Sequence, residues 1–91
     1  NKWCPYMSSQ VEAAIWLKQI TNKSNTIVVP LKEDITLMEY VGIKNTISWR
    51  NQTLIDEIMS IASYKDLITF FQLNYPSKRE VYFFISKRRY R

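Results

Sequence analysis

The end of the chain constrains the fold most. Leu67, Ile68, Thr69, Phe70, Phe71, Gln72 and Leu73 form one run rich in β-formers, and Asn74, Tyr75, Pro76, Ser77 and Lys78 follow as turn formers. In the run after them, Val81, Phe83 and Ile85 alternate with Tyr82, Phe84 and Ser86, which is the period of two that a strand requires. Two such runs around a turn predict a β-hairpin. Leu67, Ile68 and Phe71 also fit a helical period. The adjacent Ile, Thr and two Phe, with the Tyr75-Pro76 turn, favour a strand over 67–73 instead. The face formed by Val81, Phe83 and Ile85 is wholly apolar, so helices elsewhere in the chain are expected to cover it.

The charge is concentrated at the same end. From Lys78 onward the chain carries Lys78, Arg79, Lys87, Arg88, Arg89 and Arg91 against Glu80 alone, a net +5 that equals the formal charge of the whole chain. Everything before Lys78 is neutral overall. The excess charge therefore lies on one arm of the expected hairpin and on the tail, which is where an acidic partner would be met.

A chain of 91 residues makes one domain, and it buries roughly 60–65 % of its surface on folding. Its 46 % hydrophobic and 23 % charged content is that of a globular chain. Cys4 is the only cysteine, so no disulfide forms within the chain, which suits an intracellular setting. With no histidine to activate it, Cys4 reads as a structural residue rather than a nucleophile. No apolar run reaches the length of a membrane span, and no signal-peptide pattern opens the chain. The sequons at Asn22 and Asn51 read as chance in a chain with no sign of secretion. Asn1 stands where a complete protein starts with Met. The expectation is a single domain, 1–91, cut from a larger protein, with a core over about 8–87 and a basic tail at 87–91.

Ser8 and Ser9, with Glu12 three residues after Ser9, mark a helix start. That helix should run to about Ile20, and it is apolar on most sides, as a central helix is. Thr26-Ile-Val-Val29 is β-branched throughout and reads as a short strand ended by Pro30. Leu31, Ile35, Met38 and Val41 form the stripe of a second helix, with Glu33 and Asp34 near its positive end. Gly42, the only glycine, is its natural C-terminal stop. A third helix is expected from about Ser48 to Ala62, with Ile47, Leu54, Ile58 and Ile61 on its inner face.

The order helix, strand, helix, helix, hairpin over Gln10–Lys87 resembles the winged-helix fold. That resemblance implies an α+β domain of three helices, a short strand and a C-terminal β-hairpin whose loop is the wing. A smaller resemblance is to the SAM domain: Val11–Ile20 looks like its first helix, Leu37-Met-Glu-Tyr-Val-Gly-Ile43 like its Leu-x-x-Leu-Gly-Ile segment, and Leu54–Ile58 like part of its last helix. The helices that family has between the positions of Ile20 and Leu31 are missing, a valine-rich strand stands there instead, and 63–91 would be left over.

The winged-helix resemblance implies a non-catalytic module that binds double-stranded nucleic acid, in the nucleus if the source is eukaryotic. Its groove residues would be Trp49, Arg50, Asn51, Gln52 and Thr53, of which Arg can read guanine and Asn or Gln adenine. Asn45, Thr46 and Ser48 would offer backbone amides to a phosphate. Lys78 and Arg79 on the wing, with Lys87, Arg88, Arg89 and Arg91 in the tail, would neutralise phosphates. Asp56 and Glu57 oppose this, because they stand one turn beyond the reading residues and are repelled by the phosphate wall. Arg50 is the only basic residue between Ile47 and Ser63. The alternative is a protein-interaction module within a larger intracellular complex, with Trp49, Tyr82 and Phe84 in the contact. Residues 1–7, with Trp3, Pro5 and Tyr6, could instead cover Tyr82 and Phe84. No paired-cysteine metal site, glycine-rich phosphate loop or nucleophile motif is present. Asp56 and Glu57 are neighbours on a helix and point about 100° apart, as would Glu33 and Asp34, so neither pair converges on a substrate. No enzyme activity, cofactor, metal or small-molecule substrate is expected.

Overall fold

The computed structural model describes residues 8–85. In chain order these form α1 (Ser8–Ile20), β1 (Thr26–Pro30), a 3-10 turn (Lys32–Asp34) leading into α2 (Ile35–Val41), a second 3-10 turn (Trp49–Asn51) leading into α3 (Gln52–Ser60), α4 (Tyr64–Asn74) and β2 (Glu80–Phe84). Among the described residues the chain is a small α+β domain with four α-helices and a two-stranded parallel sheet.

β1 is the centre of the molecule. It pairs with β2 from Thr26–Glu80 to Pro30–Phe84. On its other edge the Val28 N–H donates to the Asn45 carbonyl at 2.7 Å and the Ile47 N–H donates to the Val28 carbonyl at 3.1 Å, giving a single parallel bridge to Thr46. Both faces are covered as well. Val28 packs with Ala14 and Leu17 of α1 and with Leu37 and Met38 of α2. Ile27 and Val29 pack with Ile55 and Ile58 of α3 and Phe71 of α4. Every residue of β1 is therefore buried, and each fully buried Val or Ile is worth roughly 1.5–3 kcal/mol. A strand covered on both faces must be apolar without alternation, which is why Ile27, Val28 and Val29 follow one another. Pro30 fits at the end of the strand for a related reason. Backbone groups alternate between edges, so Pro30 faces the same side as Val28, away from β2, and its missing N–H leaves no gap in the ladder.

Side chains fix the ends of β1. The Thr26 hydroxyl donates to the carbonyls of Thr21 at 2.8 Å and Lys23 at 2.7 Å. The Asn45 side-chain amide donates to the Lys23 carbonyl at 2.7 Å and reaches the Thr26 hydroxyl at 3.2 Å. The loop after α1 is thereby tied to the segment that bridges β1. Gly42 stops α2 as its sequence position predicts: its φ is 82°, and its N–H and that of Ile43 both donate to the Met38 carbonyl. A left-handed residue costs any L side chain about 1–2 kcal/mol.

Three expectations are corrected. The run 67–73 is not a strand but most of α4, so there are four helices rather than three. The Ser63 hydroxyl accepts from the Asp66 N–H at 3.0 Å and starts this helix, satisfying one of its unpaired amides. Second, the hairpin is absent among the described residues. β2 pairs in parallel with β1, and a parallel pair needs a long crossover, here the one carrying α2, α3 and α4. Third, the helix expected over 48–62 is a 3-10 turn followed by the shorter α3.

A candidate docking groove beside strand β2

β2 has the same length as β1 but only one strand neighbour. The Glu80 N–H donates to the Asn25 carbonyl at 3.1 Å, and the Phe84 carbonyl accepts from the Leu31 N–H at 3.2 Å. Glu80, Tyr82 and Phe84 therefore turn their backbone groups toward β1. By alternation Val81 and Phe83 turn theirs to the outer edge, which has no partner among the described residues. The same alternation sends the side chains of Tyr82 and Phe84 toward α1 and α2, while Val81 packs with the α3–α4 layer.

Between β2 and α4 lies an open groove of about 580 Å³. Its walls are Tyr64, Leu67, Ile68 and Phe71 of α4 and Val81 and Phe83 of β2, with Gln72, Pro76, Lys78 and Arg79 completing the lining. Phe71 and Phe83 meet edge to face, with centroids 6.3 Å apart and planes at 85°. Phe71 also stacks at a tilt on Tyr75 at 5.9 Å, whose phenol pKa is raised by burial. Phe71 is buried, while Ile68 and Phe83 remain 39 % and 38 % exposed, which is high for large apolar side chains facing each other across a groove.

The charge in the groove has one sign. Lys78 and Arg79 line it and no acid does. The Lys78 ammonium donates to the Ser24 carbonyl at 2.6 Å, while Arg79 is anchored only through its backbone N–H, which donates to the Asn25 carbonyl at 2.8 Å. Glu80, the nearest acid in sequence, faces the other side of the sheet with Tyr82, whose hydroxyl donates to it at 3.0 Å. That hydrogen bond raises the Tyr82 phenol pKa, with burial and the Glu80 charge adding in the same direction.

Among the described residues, those expected to bind nucleic acid stand at opposite ends of the sheet. Lys78 and Arg79 precede β2 and lie at the amino ends of the parallel strands. Arg50, Asn51, Gln52 and Thr53 follow the segment that bridges β1 and lie beyond the carboxyl ends. Trp49, Arg50, Asn51 and Thr53 are exposed and Gln52 is half-buried. Asp56 does not stand alone beside them, because the Lys32 ammonium meets its carboxylate at 3.1 Å. Both partners are exposed, so the pair is worth about 0–1 kcal/mol. Lys87, Arg88, Arg89 and Arg91 lie outside the described residues, as do Trp3, Cys4, Pro5 and Tyr6. Of the residues expected to meet a protein partner, Trp49 is exposed, Tyr82 is half-buried and Phe84 is buried, with 8 % of its surface exposed. Phe84 is thus a core residue, packed on the α1–α2 side. The sequence reading missed the α4 half of the groove, because Leu67, Ile68 and Phe71 line it only when 64–74 is helical.

No helix of the described residues is long and apolar enough to cross a membrane. Compared with known proteins, the chain matches no family model, and no curated protein or solved structure resembles it significantly.

Proposed function

We propose that the chain is a non-catalytic protein-interaction module whose groove between α4 and β2 receives a segment of a partner protein. One observation carries this reading: a strand edge with no partner among the described residues runs beside an aromatic groove whose large apolar side chains are left partly in water. Proteins normally cover or charge such an edge, and an exposed apolar groove with a polar rim is the usual form of a polypeptide-binding surface. The test is a selection of displayed random peptides on the whole chain, with Ile68→Arg as the counter-target. Ile68 faces the groove from an exposed helix position, so a cation there fills the groove with little effect on folding. Peptides that bind the wild-type chain and lose the variant support the reading. Binders that ignore the variant overturn it.

A second reading keeps the duplex nucleic acid expected of a winged-helix domain. The concentration of positive charge from Lys78 to Arg91 favours it, through phosphate contacts at the tail rather than base contacts by α3. A random duplex should then shift in a gel at about 100 mM salt and lose affinity steeply as salt rises. Replacing Lys87, Arg88, Arg89 and Arg91 by Ala should flatten that slope by about one unit for each phosphate no longer neutralised. An unchanged slope removes this reading.

A further inference from the structure

Resting on the reading of the groove as a docking site, we infer that its occupant is an extended segment of another protein that adds to β2 as the next strand of the sheet and carries an acidic end. The geometry of β2 points to strand addition rather than to a docked helix. The N–H and C=O groups of Val81 and Phe83 face the outer edge, and they repeat at the two-residue spacing that another strand presents. Their side chains belong to the groove face, so a strand on that edge would place every second side chain into the groove beside them. The lengths agree. β2 has five residues and spans about 17 Å at 3.3 Å per residue, and α4 has eleven and spans about 16 Å at 1.5 Å per residue. The groove therefore holds about one strand of the length of β2.

The acidic end follows from charge. Lys78 and Arg79 stand at the amino end of β2, and no acid lines the groove to balance them. Glu80 is committed to Tyr82 on the opposite face. A carboxylate on the arriving strand would be held there by charge-assisted hydrogen bonds. A second copy of the chain fits less well. If two β2 strands paired antiparallel about Tyr82, Arg79 of one would meet Ile85 of the other, and no acid would reach Lys78 or Arg79. If they paired in parallel, Arg79 would meet Arg79. Like charges directly opposite destabilise a pair of strands.

The experiment uses the whole chain and three displayed peptide pools: alternating Thr with Val, Ile or Phe after a leading Asp-Asp; the same pool led by Lys-Lys; and a pool with the same residues at helical spacing. Each is selected on the wild-type chain, Ile68→Arg and Arg79→Glu, and the best peptide of each pool is then added during amide exchange. Strand addition predicts that the Asp-led pool is preferred over the Lys-led pool by about tenfold, the scale of one charge-assisted contact. Arg79→Glu, an exposed change that leaves the core intact, should reverse the preference. Bound peptide should slow exchange at Val81 and Phe83 by at least about tenfold while leaving Tyr82 unchanged. Binders that are lost in Ile68→Arg yet come from the helical pool, or leave Val81 and Phe83 unprotected, overturn strand addition and leave the docking site standing. Pools that never distinguish wild type from Ile68→Arg overturn both. Self-association in sedimentation that protects Val81 and Phe83 without peptide, or protection produced by duplex DNA, also overturns the inference.

Discussion

β1 and β2 lie side by side, each five residues long, and they differ in almost everything else. β1 has a neighbour on both edges and helices on both faces, and none of its residues reaches water. β2 has one strand neighbour, one well-covered face, and a second face that opens into a groove. The difference shows which part of the molecule is devoted to stability and which is left for contact. In β1 the Val28 N–H and C=O are both bonded on the edge away from β2, the ladder to β2 occupies the other edge, and Pro30 has no N–H to satisfy. In β2 the backbone groups of Val81 and Phe83 have no strand partner among the described residues, and the Phe83 side chain remains 38 % exposed.

The contrast can be broken by truncating each strand on the same face. Ile27→Ala leaves a cavity beside Ile55, Ile58 and Phe71 and should cost about 2–5 kcal/mol. Phe83→Thr, at a half-exposed position on an edge, should cost about 1 kcal/mol or less. Urea unfolding of the two variants should therefore give a large fall in midpoint for the first and a small one for the second. Equal falls would mean that β2 is as closed as β1.

A smaller effect tests the wall of the groove. Ser63→Ala removes the hydroxyl that accepts from the Asp66 N–H and should lower stability by about 1 kcal/mol, the usual cost of losing an N-cap. If residues 64–74 were a strand, the same change would be neutral, so the urea midpoint separates the two arrangements.

The smallest effect sharpens the other face of β2. The Tyr82 phenol is raised by its hydrogen bond to Glu80, so its protonated form favours the folded state. Its contribution is fully present below the ordinary phenol value of about 10 and is lost as pH rises through the folded value. Tyr82→Phe should therefore lower stability slightly at neutral pH, and the difference from wild type should vanish as pH rises through the folded value. In an ultraviolet titration of the folded chain it should remove one late-ionising phenolate. A titration curve that loses an ordinary phenol instead would separate Tyr82 from Glu80.

Much of the chain was legible from residue order. The apolar runs and the single glycine placed α1 and α2 nearly where they are, with Gly42 stopping α2 at a φ of 82°. β1 was legible as a strand but its pairing was not, since partners separated by three helices leave no local mark. The one trace of it was Ile27, Val28 and Val29 in succession, the pattern of a strand covered on both faces rather than of one arm of a hairpin. The misread element was α4. Thr69, Phe70 and Phe71 favour strands, but Ser63-Tyr-Lys-Asp66 is a helix start, and packing of Leu67 and Phe71 onto β1 and β2 outweighs local propensity. The groove could not be seen until that helix was in place. The charge at the end of the chain was plain from residue order, yet β2 divides it, with Lys78 and Arg79 before the strand and the other four cations after it.

Native-state amide exchange along β2 tests the central claim most directly. The account predicts alternation in the isolated chain: Tyr82 and Phe84, which face β1, exchange slowly, while Val81 and Phe83, which face the open edge, exchange much faster. Uniform slow exchange across all four residues would contradict it, because the edge of β2 would then already be covered.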